Sequence, residues 1–124
     1  MTQPLALILY EKLLPGSQLA NRLRDLGYRV LVVTEAASLV AQAELEKPLL
    51  VLADLASAQG DICAAITELR NYPATAHLPV LAFAEQRSAD LQTQAHAAGA
   101  TLVASDELVL AQLPQLLEKV LEVE

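Results

Sequence analysis

The stretch Leu49-Leu50-Val51-Leu52-Ala53-Asp54-Leu55 decides the fold. It is apolar without alternation, and a carboxylate interrupts it near its end. A strand with one wet face alternates apolar and polar residues. A strand without alternation is buried on both faces, as in a parallel sheet covered by helices. In open sheets of that kind, ligands and chemistry collect at the carboxyl ends of the strands. Asp54 therefore stands where an active carboxylate would stand.

Four more short apolar runs flank this one, at residues 5–9, 29–33, 79–84 and 101–104. Helical patterns separate them. The first starts at the loop Pro15-Gly16, with Pro15 at or near its first helical position, carries Leu19, Leu23 and Leu26 at i, i+4, i+7, and stops at Gly27 as a C-terminal cap. The second spans 36–46, with Leu39, Val40 and Ala43 inward and Leu45 a further candidate, and Pro48 ends it. The third spans 60–71 around Ile62, Ile66 and Leu69, and Tyr72-Pro73 breaks it. The fourth starts after Ser88 as N-cap, uses Leu91, Ala95 and Ala98, and closes at Gly99. The last starts near 111–114, with Leu113, Leu117 and Val120 as its core face. Strand then helix, five times with short links, predicts one domain: a doubly wound parallel α/β sheet with helices on both faces. Five units are too few for the eightfold barrel.

The bulk numbers bound the function. Fifteen acidic against eight basic side chains give a net charge of −7. Binding to nucleic acid or to an anionic membrane needs a basic surface, so neither is expected of this chain, whereas a protein partner with a basic face is. One cysteine, Cys63, allows no internal disulfide and fits a reducing, cytoplasmic setting. Beside Ile62 and Ile66 it reads as a structural thiol. No run is long enough to span a membrane, and Met1-Thr2-Gln3-Pro4 lacks the basic start of a signal peptide. The four glycines are scattered singly, so there is no phosphate-cradling loop. His77 and His96 have no metal-ligand spacing and read as surface residues.

Three stretches carry a resemblance. Leu26-Gly27-Tyr28 closes the first helix, the 49–54 strand ends in Asp54, and Leu78-Pro79-Val80-Leu81 continues without a gap to Ala98-Gly99-Ala100. In this order and spacing the chain resembles, over nearly its whole length, the receiver domain of bacterial response regulators. The resemblance implies a flavodoxin-like (βα)5 fold with strand order 2-1-3-4-5. It also implies signalling by phosphoryl transfer onto the Asp of the third strand. That chemistry needs Mg²⁺ on carboxylate oxygens and a lysine to stabilise the transferring group, while a hydroxyl reads the product.

The resemblance assigns those parts residue by residue. Asp54 takes the phosphoacceptor position and Glu11 that of the second acid, so Glu11 and Asp54 are the candidate Mg²⁺ ligands. Tyr10 stands where the first acid belongs, Ala84 where a Thr or Ser belongs, and Asp106 where the lysine belongs, with Glu107 after it in place of a usual Pro. A carboxylate in the lysine position repels a phosphoryl group where it should be neutralised. The expectation is a pseudo-receiver: a non-enzymatic regulatory module working by protein contacts, with no cofactor unless Mg²⁺ binds. The alternative is a working phosphorelay receiver that accepts on Asp54. Two further readings of Asp54 stay open, a hard-cation site shared with Glu11 and Asp106 and a structural carboxylate bound by the loop 56–60.

The end of the chain offers an interface. Leu108, Val109, Leu110, Leu116 and Leu121, with Val123, lie off the core stripe. They form either an apolar patch on the face of the fourth helix, fifth strand and last helix, suited to a homodimer or an effector domain, or one side of a wide core-facing helix.

Overall fold

The computed structural model describes residues 4–10, 13–35, 38–55, 62–73, 75–84 and 89–122, with the side chains of 13–16, 89 and 121–122 excepted. Five parallel strands alternate with helices: β1 (Leu5–Leu9), α1 (Leu13–Asp25), β2 (Arg29–Val33), α2 (Leu39–Glu46), β3 (Leu50–Asp54), α3 (Ile62–Asn71), β4 (Val80–Ala84), α4 (Ala89–Ala98), β5 (Leu102–Ser105), α5 (Asp106–Ala111) and α6 (Leu113–Glu122). The sheet order is β2-β1-β3-β4-β5, the doubly wound flavodoxin-like order. None of the described helices is long and apolar enough to cross a membrane.

Side-chain alternation divides the core into two layers. Leu7, Leu9, Val51, Ala53, Val80, Ala82 and Ala84 pack under α2, α3 and α4 with Val40, Ile66 and Ala95. Ala6, Ile8, Leu50, Leu52, Leu81, Phe83 and Ala104 pack on the other face with Leu19 and Leu23 of α1 and Val109, Leu113, Leu117 and Val120 of α5 and α6. All five residues of β1, β3 and β4 are buried, as their unbroken apolar runs require.

Both glycine caps expected from sequence form. Gly27 and Gly99 have φ of 96° and 116°. In each, the following residue bonds back five positions, Tyr28 N to Leu23 O and Ala100 N to Ala95 O, both 3.0 Å. This is the Schellman closure, which satisfies the last helical carbonyls.

Two expectations change, and one element is added. Leu26 is exposed, because α1 ends at Asp25 and the turn carries Leu26 off the apolar stripe. Leu45 is 72% exposed rather than inward: five positions beyond Val40, it points to a different side of the helix. The last helix, α6, starts at Leu113, inside the expected 111–114, but a short helix not expected from sequence, α5, precedes it from Asp106. The chain bends at Gln112 between the two, and Pro114 has no N–H to give to the carbonyl four residues back. Pro15 lies in the first turn of α1, near the helix start as expected, where a missing N–H costs nothing. Ser88 and the loop 56–60 lie outside the described residues.

Candidate functional site

The carboxyl ends of β1, β3, β4 and β5 form one rim. Register sets Leu9 beside Ala53, Asp54 beside Phe83, and Ala84 beside Ser105. Leu55 N donates to Phe83 O at 2.9 Å, which ties β3 to β4 just past Asp54. Asp54 has the side-chain parity of Leu50 and Leu52, and Tyr10 that of Ala6 and Ile8, so both belong to the α1–α5–α6 face of the sheet.

Asp54 is 3% exposed and ends a strand buried along its whole length. Tyr10 is half-buried and packs against the apolar cluster beneath α1 and α5, while its N–H bonds Val33 O at 3.1 Å. An aromatic ring thus fills space beside the rim where the resemblance places a metal-binding acid.

Ala84 is completely buried, and its methyl belongs to the α2–α3–α4 layer. It brings no hydroxyl to the rim.

Asp106 is the first residue of α5. Ser105 caps that helix from an extended conformation (φ −77°, ψ 159°), and its hydroxyl accepts from Leu108 N at 3.1 Å. Asp106 and Glu107 fill the first turn, where the helix dipole favours negative charge. The same dipole would disfavour a lysine there. Two strand spacings separate β3 from β5, about 10 Å between their backbones. Like charges on one rim repel, and an added phosphate dianion would meet more repulsion there.

The cation reading needs Glu11, Asp54 and Asp106 together. Among the described residues, no group of three or more His, Cys, Asp or Glu side chains comes together as a metal ion requires. Glu11, the other candidate ligand, lies outside the described residues. The described residues do not by themselves make a Mg²⁺ site.

The proposed patch at the chain's end divides. Val109 and Leu116 are buried, and Leu110 is half-buried against the same cluster. These three face the sheet, so the wide core-facing reading holds for them. Leu108 is exposed, and the side chain of Leu121 and Val123 lie outside the described residues. The apolar residues of α5 and α6 on either side of Gln112 pack into the same cluster. Cys63 is half-buried against the α2–α3–α4 layer, and His77 and His96 are exposed.

The sequence reading missed a polar joint at the opposite edge of the sheet. Arg70, at the end of α3, donates Nε–H to Gly99 O (2.9 Å), Nη1–H to Ala76 O (2.9 Å) and Leu78 O (2.6 Å), and Nη2–H to Thr101 Oγ1 (3.1 Å). Thr101 Oγ1 also accepts from Val80 N at 3.0 Å. Partial burial pulls the Arg70 guanidinium pKa below its ordinary value. Four acceptors offset that cost and tie α3, the α3–β4 link and the α4–β5 turn together.

Comparison with solved structures agrees with this geometry. A candidate response regulator from Chloroflexus aurantiacus J-10-fl superposes with a TM-score of 0.90 at 20% identity, over 98% of this chain and 100% of that one. The receiver domain of a sensor histidine kinase from Pseudomonas aeruginosa PAO1, with magnesium coordinated in its active-site cleft, gives 0.88 at 20% identity over 98% and 100%. The chain has the receiver-domain fold. A chemotaxis response regulator of Vibrio cholerae gives 0.76 at 18% identity, over 92% of this chain and 98% of that one. No family profile and no curated protein matches the sequence. The rim described above lies at the carboxyl ends of the strands, where doubly wound sheets of this order bind ligands.

Proposed function

We propose that the chain is a pseudo-receiver: a cytoplasmic, non-enzymatic signalling module that acts through protein contacts independently of phosphorylation. The observation that carries this reading is Asp106 as the first residue of a capped helix. A carboxylate built into a helix start cannot do the work of a lysine, and the backbone there is organised around that start. Tyr10 and Ala84 support the same reading, since neither supplies the metal ligand or the switch hydroxyl.

The competing reading, a phosphorelay receiver accepting on Asp54, keeps one observation in its favour. A buried carboxylate ends the third strand, where the receiver fold has its acceptor. Beryllofluoride with Mg²⁺ mimics a phosphoryl group on such an aspartate and separates the two. In two-dimensional amide NMR the pseudo-receiver shows no saturable shifts at Asp54, Ala84 or Ser105. Saturable shifts there, lost in Asp54→Asn, favour the phosphorelay reading.

A further inference from the structure

Most of the large apolar side chains left exposed lie far from Asp54. Among the described residues they are Leu26, Val32, Leu45, Leu49, Tyr72 and Leu108. Leu45 is in the last turn of α2, Tyr72 follows the end of α3, and Leu49 precedes β3. Helices run antiparallel to the strands they connect, so these three gather at the amino-terminal edge of the sheet. Leu45 and Tyr72 share an open groove of about 560 Å³, whose other walls are Val40, Ala41, Glu44 and Glu68.

Three features of this groove bear on its occupant. First, α2 is apolar on more than one side. Leu39, Val40 and Ala43 are buried in the core, yet Leu45 is 72% and Tyr72 across the groove 47% exposed. A helix of this kind has an outer face suited to being covered. Second, the charges are of one sign. The lining carries two carboxylates, Glu44 and Glu68, and no basic side chain. Glu46 and Lys47, next along the chain, offset each other, and the whole molecule is at −7. Third, another open groove, about 470 Å³ between α4 and β5, is lined by Gln92, Thr93, His96, Ala97 and Val103. It has no carboxylate and so nothing to select a cationic partner.

We propose that the α2–α3 groove docks a basic amphipathic segment of a partner protein, with an aliphatic or aromatic anchor between Leu45 and Tyr72 and Lys or Arg side chains against Glu44 and Glu68. The apolar floor supplies affinity, and the carboxylate rim supplies selectivity and steering. This deepens the reading of the chain as an interaction module and rests on it.

The test uses three synthetic peptides. One is an amphipathic helix with Leu on one face and Lys and Arg on the other. The second has the same composition in scrambled order, and the third has Glu at every Lys and Arg. The first binds at least tenfold more tightly than the other two, and its amide shift changes centre on Ala41, Glu44, Leu45, Glu68 and Tyr72. Leu45→Ser and Glu68→Gln each weaken it by about tenfold, the factor that 1.4 kcal/mol represents. Both positions are exposed, so the variants keep the fold. Equal binding of the scrambled peptide, or shifts centred elsewhere, overturns the proposal. So does a concentration-dependent dimer in sedimentation that Leu45→Ser abolishes, because a second copy then fills the groove. Any of these leaves the phosphate-independent reading standing, since that fails only if Asp54 takes a phosphoryl group.

Discussion

Gly99 is required twice over. Its φ of 116° is a conformation that side-chain-bearing residues rarely adopt, and a Cβ placed there would lie 2.8 Å from Arg70 Cγ. The Arg70 side chain cannot retreat, because its guanidinium is held by Gly99 O, Ala76 O, Leu78 O and Thr101 Oγ1. Gly27 adopts a similar φ but has open space around it. The two glycines therefore respond differently to alanine. Gly27→Ala costs the backbone strain alone, about 1–2 kcal/mol, whereas Gly99→Ala adds an overpacking penalty of about 1–3 kcal/mol. Urea unfolding of the two variants measures the difference, and equal midpoints would contradict the packing argument. At the same scale, Asp106 was recognisable from its sequence position as a charge of the wrong sign for phosphate. Its place at the start of a helix was less legible, because that start depends on one short cap at Ser105.

The elements that sequence located best were those with a single strong cause. Residues 5–9 and 29–33 match β1 and β2 to the residue, and both glycine caps close their helices. The elements located worst were those with competing causes. α5 is six residues long and apolar at Leu108, Val109 and Leu110, too short for periodicity to declare a face. Its start is set by one cap, and its end by a proline beyond it. The cap itself is open to measurement. Ser105→Ala removes the hydroxyl that accepts from Leu108 N and should cost about 1 kcal/mol, within the 0.5–2 kcal/mol of such losses. Ser105→Asp, which caps equally well, should restore it. Failure of the aspartate to rescue would place the effect of Ser105 outside the cap. Of the candidate site, Asp54, Tyr10 and Ala84 were legible because strand register carries position directly. The Arg70 joint was not, because its partners lie up to 31 residues away and are mostly backbone carbonyls, which leave no mark in side-chain pattern.

At the scale of the molecule, the two ends of the sheet carry different properties. The carboxyl end holds Asp54 and Asp106, with Tyr10 at the end of β1 packed on the apolar cluster beneath it. The amino end holds the Arg70 joint and, beside it, the groove of Leu45 and Tyr72 between two carboxylates. On this account the fold of a phosphate switch is kept as a scaffold, and contact with a partner takes over from chemistry. Intact mass after incubation with Mg²⁺ and acetyl phosphate tests that claim most directly, with Asp106→Lys run alongside as the variant that restores the positive charge. The account predicts an unchanged mass for the native chain at every time point. A phosphoryl adduct on the native chain that is absent from Asp54→Asn would contradict it.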